Sequence, residues 1–84
     1  MVRIKQTLSE MSDGQTATIR DIDSASPIAS RLFDLGFIPG TKVQVVRRAP
    51  LGDPVMFRVR GYQIGLRLSE ARWIDVDTDL LDVL

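Results

Sequence analysis

Histidine and cysteine are both absent from the sequence. Without cysteine there is no disulfide framework and no thiolate metal site. Without histidine, the commonest neutral metal ligand and the commonest general base are missing. Charge of one sign is lacking too: eleven basic residues stand against eleven acidic ones, a formal net charge of zero. Bulk attraction to nucleic acid or to a membrane surface is therefore not expected. No apolar run approaches the roughly 18 residues that cross a bilayer. The opening MVRIKQTLSEM has no apolar signal-peptide core, which makes the cytoplasm the expected compartment.

What remains is one short chain of 84 residues, 44% hydrophobic. A chain of that size builds one small core with a modest stability margin. We expect a single domain, 1–84, with its core at about 7–76 and a C-terminal tail at 77–84. Charge is uneven along it. Arg31, Lys42, Arg47, Arg48, Arg58, Arg60, Arg67 and Arg72 fill the middle, opposed only by Asp34, Asp53 and Glu70. Asp75, Asp77, Asp79 and Asp82 follow with no base among them.

The element pattern is mostly β. Leu8 and Met11 can reach a core, Asp13-Gly14 marks a turn, and a strand is expected at about Gln15–Ile22. SASPIASRLFDLGFIPG reads as a helix. Ser26 is placed to cap it and Pro27 to occupy its first position. Ile28, Leu32 and Leu35 share one face at helical spacing. Gly36 ends it in a left-handed conformation, with Phe37 folding back on the last turn. Pro39-Gly40 fits a type II turn, and TKVQVVRRA a strand.

VMFRVRGYQIGLRL is a hairpin pattern. A Gly61-Tyr62 turn of type II′ would pair Arg60 with Gln63, Val59 with Ile64, Arg58 with Gly65, Phe57 with Leu66, Met56 with Arg67 and Val55 with Leu68. Val55, Phe57, Val59, Ile64, Leu66 and Leu68 then lie on one face and Met56, Arg58, Arg60, Gln63, Gly65 and Arg67 on the other, and a slip of one residue would mix the faces. SEARW supplies one helical turn and IDV a closing strand with Ile74 and Val76 inward. About five short strands and one inserted helix bury a single apolar face best by curling, so the expected fold is mainly β, a small, partly open SH3-like barrel.

Chemistry is scarce. No nucleophile–base pairing and no phosphate-cradling glycine loop occurs, so the chain is read as no enzyme and as needing no cofactor. Asp75, Asp77 and Asp79 share a face if their strand continues, and carboxylates suit hard cations. A charged edge strand that discourages pairing explains them more plainly. Met1, Met11 and Met56 are core or gap-filling residues before they are soft-metal ligands, so metal ligands stay unassigned and transition-metal binding is expected to be weak. Single-strand nucleic-acid surfaces interleave basic residues with exposed aromatics. Here only Tyr62 and Trp73 are available for that role, and nucleic acid is not expected as a partner. Protein recognition is the better use of Pro50, Leu51, Gly52, Asp53 and Pro54, a stiff exposed loop that loses little entropy on binding. Arg48, Arg58 and Arg60 complete the candidate partner-binding set, with Leu51 as its apolar anchor. Alternation would turn Arg47 inward. Leu80, Leu81, Val83 and Leu84 could pack on their own barrel or on a second copy, which leaves homo-oligomerisation open.

Taken in order, Arg31-Leu32, Leu35-Gly36-Phe37, Pro39-Gly40, Ala49 through Pro54, Gly61, Leu66-Arg67 and Ser69-Glu70-Ala71 resemble the ferrous iron transport protein A family. The likeness to this FeoA-type domain runs from about Leu8 to Val76. It implies an SH3-like barrel and a small cytoplasmic accessory in iron homeostasis. The partner implied is the cytoplasmic portion of a ferrous iron transporter that carries a GTPase domain, so the membrane is reached only through that partner. The same domain type occurs at the C-terminus of metal-dependent transcriptional repressors, which implies the alternative of an SH3-like regulatory domain.

Overall fold

The computed structural model describes residues 3–79. They form one antiparallel sheet of six strands with two short helices. The strands are β1 (Arg3–Thr7), β2 (Thr16–Ile22), β3 (Lys42–Arg48), β4 (Val55–Val59), β5 (Tyr62–Leu66) and β6 (Ile74–Asp79). Helix α1 (Ala29–Asp34) follows β2, and α2 (Leu68–Ala71) links β5 to β6. The spatial order is β1-β6-β2-β3-β4-β5.

One strand more is present than the expected five, because Arg3–Thr7 pairs along β6 from Asp79 to Asp75. The sheet thus extends past both expected limits of the core. It also places β6 between β1 and β2, so the strand carrying Asp75 and Asp77 is internal and does not serve as a charged edge. Past β1 the chain makes one 3₁₀ turn, Leu8–Glu10. The Thr7 backbone N–H donates to Glu10 Oε1 at 2.8 Å and the Thr7 hydroxyl does so at 2.9 Å. Both bonds favour the charged carboxylate and hold the Glu10 pKa below its ordinary value. Leu8 and Met11 are thereby set into the core, as the sequence suggested.

Helix α1 starts later than expected. The Asp23 side chain accepts the Ala25 N–H at 2.9 Å, its carbonyl accepts the Ser26 N–H, and a turn results. Ser26 Oγ does accept a backbone N–H, from Ile28 at 3.2 Å, but Ile28 and not Ser26 stands at the cap position. Pro27 therefore lies before the helix. With only six residues, α1 buries a narrow stripe: Leu32 is buried, Ile28 packs partly, and Leu35 stays exposed. The C-terminus forms as the sequence predicts. Gly36 has φ +108, its N–H reaches Phe33 O, and Phe37 N–H reaches Leu32 O at 3.1 Å. That pair of bonds is the Schellman arrangement, and it drives Phe37 into full burial. The Thr41 N–H to Ile38 O bond and φ +91 at Gly40 close the turn at Pro39-Gly40.

The β4–β5 hairpin differs from expectation by a shift of two residues. The observed pairs are Val59 with Tyr62, Arg58 with Gln63, Phe57 with Ile64, Met56 with Gly65 and Val55 with Leu66. The turn residues are Arg60 and Gly61, both at positive φ (52° and 84°), as a type I′ turn requires and a type II′ turn does not. A shift of two conserves side-chain parity, so Val55, Phe57, Val59 and Leu66 still reach the core together. Ile64 packs partly against it. Leu68 leaves the strand and opens α2. The core is closed by Ile19, Ile22, Val43, Val45, Ile74 and Val76 from the other strands.

Candidate partner-binding surface

The connection from β3 to β4, residues 49–54, is held at its base. The Ala49 N–H donates to Pro54 O at 2.9 Å, and Gly52 N–H turns back to Ala49 O at 2.8 Å. Pro50 and Pro54 remove two backbone freedoms, and Gly52 accommodates φ +92. The Asp53–Pro54 peptide is cis. Asp53 Oδ1 accepts the Leu68 N–H at 2.9 Å, which fixes the loop to the start of α2. At its tip Leu51 is 98% exposed, the most exposed large apolar side chain described. No neighbour among the described residues explains that position.

The arginines divide into two groups. Arg48 is partly buried: its guanidinium donates to Met11 O, and Nε lies 3.4 Å from Asp13 Oδ1. It therefore ties the end of β3, where the loop begins, to the segment at Met11 and Asp13, while Asp53 ties the loop itself to α2. Arg58 and Arg60 are exposed, and neither takes part in an ion pair among the described residues. Arg47 faces outward, against the alternation. Register shifts between Val45 and Arg47, where two steps on β3 answer one on β4. This bulge at Val46 turns Arg47 to solvent. Lys42, Arg58 and Arg60 line one basic hollow with Thr16 and Gln44. A mostly apolar groove of about 360 Å³ lies nearer the loop, between Pro50, Pro54, Met56 and Gly65.

The alternatives to protein contact find little material. Tyr62 is exposed, but Trp73 packs partly against the core with Arg72 5.4 Å above its ring. Arg31 is engaged with Glu70. Among the described residues no three acidic side chains gather as metal ligands, and no helix is long and apolar enough to cross a membrane. Met11 is core. Met1, Asp82, Leu80, Leu81, Val83 and Leu84 lie outside the described residues. Sequence reasoning missed the groove and the edge of β5, which no other described strand covers. A glycine inside a strand, Gly65, was the signal available for both.

The FeoA domain model matches residues 6–78, nearly all of the chain. The chain belongs to the FeoA domain family. Over 70 residues it is 36% identical to the Fe(2+) transport protein A/Fe(2+) transporter FeoB fusion protein of Porphyromonas gingivalis, covering 83% of this chain and 8% of that protein. The chain thus spans only a small part of that relative. Among solved structures, the FeoA-like protein of Clostridium acetobutylicum superposes with TM-score 0.86 at 32% identity, over 95% of this chain and 92% of that one. The FeoA of Stenotrophomonas maltophilia, an SH3 domain protein complexed with zinc, gives TM-score 0.77 at 34% identity, over 86% and 89%. The SH3-like fold of this FeoA domain is therefore established. A manganese-dependent transcriptional repressor shares the fold at 19% identity and TM-score 0.81 over 44% of its chain. At that identity it carries the fold alone.

Proposed function

We propose that this FeoA domain is a small cytoplasmic accessory of a ferrous iron transport system. It acts without catalysis, by docking on the cytoplasmic portion of the transporter that carries the GTPase domain. The observation that carries the reading is Leu51, 98% exposed on a loop fixed at Ala49, Pro54 and Asp53. A stiff loop pays little ordering entropy when its apolar tip enters a pocket. Arg58 and Arg60 contribute charge complementarity, which chiefly raises the association rate and selects the partner. The fusion protein of P. gingivalis supports the choice of partner, because one chain there joins transport protein A to FeoB. Iron is the transporter's cargo in this reading, and the accessory holds none of it.

The test is iron uptake in cells lacking the wild-type protein, complemented with Leu51→Asp or with a combined Arg58→Glu, Arg60→Glu, each first shown to be folded. Uptake should fall with both. The arginine variant's binding defect should also depend on salt, since exposed charges are screened over roughly 8 Å at physiological ionic strength. Normal uptake and normal co-purification with both variants would remove this surface from the function.

A further inference from the structure

We infer that β5 is a docking edge, to which an acidic segment of the partner adds in extended conformation as a further strand of the sheet. The inference rests on the docking reading for the source of that segment. Its physical basis is the edge itself.

Among the described residues strand β5 ends the sheet and pairs with β4 alone. In a type I′ hairpin the residues flanking the turn, Val59 and Tyr62, exchange both backbone bonds, and bonded pairs then alternate. Tyr62, Ile64 and Leu66 consequently turn their N–H and C=O groups toward β4. Those of Gln63 and Gly65 point the other way, and they bond to nothing else among the described residues. Natural edges are usually blunted by proline, by bulges or by inward-pointing charge. Here the β4–β5 ladder runs without a register shift, β5 has no proline, and its inward residues Ile64 and Leu66 are apolar.

Gly65 strengthens the case. Its φ is not in the left-handed region, and an added Cβ would meet only Met56 Cε at 3.8 Å. Neither conformation nor crowding requires glycine there. A bare strand position of this kind suits the close approach of another backbone. It also forms, with Met56, the floor of the apolar groove walled by Pro50 and Pro54, where alternate side chains of an added strand would settle.

Charge chooses the occupant. Arg58 lies opposite Gln63, Arg60 sits in the turn and Arg67 follows β5 directly. All three are exposed and outside any ion pair among the described residues, and β4 and β5 contain no acidic residue. A second copy pairing β5 to β5 would bring these arginines against their own counterparts, so self-association through this edge is disfavoured. A segment alternating carboxylates with small apolar residues satisfies the free backbone groups, sets its carboxylates on the outer face with Arg58 and the groove that Arg47 and Arg48 also line, and continues the inner face of Ile64 and Leu66 with its apolar residues.

Amide hydrogen exchange followed by NMR tests this on the whole protein. Two probes are used: the purified cytoplasmic portion of the transporter, and a synthetic eight-residue peptide of alternating Glu and Val, with a Lys–Val peptide as control. In the free protein the Gln63 and Gly65 amides should exchange far faster than Ile64. Binding should slow them by at least roughly tenfold. Gly65→Pro removes an outward N–H at an edge position that tolerates proline, and it should abolish both the protection and the binding. Should that variant not fold, Arg58→Glu with Arg67→Glu should weaken binding by about tenfold. Protection of the two amides by the acidic probe and not by the basic one supports the inference. If the transporter portion binds while both amides keep exchanging freely, the edge is wrong and the docking reading stands. If only the acidic peptide protects them, the edge is right and the transporter reading is wrong. If neither probe binds, both are wrong.

Discussion

Replacing Gly61 by Val isolates a backbone cost with little else mixed in. Gly61 holds φ +84 at the second central position of the Arg60-Gly61 turn, and a Cβ built there meets nothing within 4 Å. No clash, cavity or lost hydrogen bond therefore enters. The left-handed conformation costs an ordinary L-residue roughly 1–2 kcal/mol, and a β-branched one lies at the upper end. With about 2.1 cal/mol/K of unfolding entropy per residue, that loss lowers the melting temperature of a domain this size by roughly 6 to 11 °C. Gly65, in the same hairpin, is the control. Its φ is ordinary and a Cβ has room against Met56 Cε at 3.8 Å, so Gly65→Ala should leave stability unchanged or raise it by about 0.5 kcal/mol. Thermal melts of the three proteins decide the matter. An unchanged midpoint in Gly61→Val, or an equal loss in both variants, would refute the type I′ turn and the register built on it.

Arg60→Asn should stabilise the same turn by up to about 1 kcal/mol, because Asn-Gly suits two successive positive-φ positions better than Arg-Gly; urea unfolding measures it. Glu10 gives a pH signature. Its folded-state pKa is held below the usual carboxylate range by the Thr7 N–H and hydroxyl, so its stabilisation is present above the unfolded-state pKa and is lost as pH falls through the lower folded value. Glu10→Gln should flatten that part of the acid limb in urea midpoints taken from neutral to low pH. Ferrous iron titrated anoxically into the isolated protein should give no stoichiometric binding at micromolar affinity, roughly −8 kcal/mol. Such binding would reveal a carboxylate site that the distribution of acids does not suggest.

The parts legible in the sequence were those set by local chemistry. The Leu35-Gly36-Phe37 helix end, the Pro39-Gly40 turn and the inward faces of β4 and β5 all follow from residues a few positions apart. The hairpin register was not, because a shift of two residues leaves every side chain on its face and the apolar pattern cannot register it. Arg60 at φ 52 compounded this, since arginine carries no turn signal. Strand β1 was hidden because RIKQT has one apolar residue, and pairing with β6 from the far end of the chain creates it. In the candidate site, Leu51 stands as exposed as expected. The inner roles of Arg48 and Asp53 depend on Met11 and Leu68, 37 and 15 residues away along the chain. The outward turn of Arg47 depends on a bulge that alternation alone does not predict.

Docking through the loop is tested most directly by the affinity of this protein for the purified cytoplasmic portion of a ferrous iron transporter, measured by calorimetry for the wild type and for folded Leu51→Asp. Fully burying a leucine side chain contributes about 1.5–3 kcal/mol, so removing that anchor should weaken binding by roughly 10- to 150-fold. A carboxylate in an apolar pocket pushes the loss toward the larger value. Equal affinity for the two proteins, or no binding by the wild type, would contradict the account.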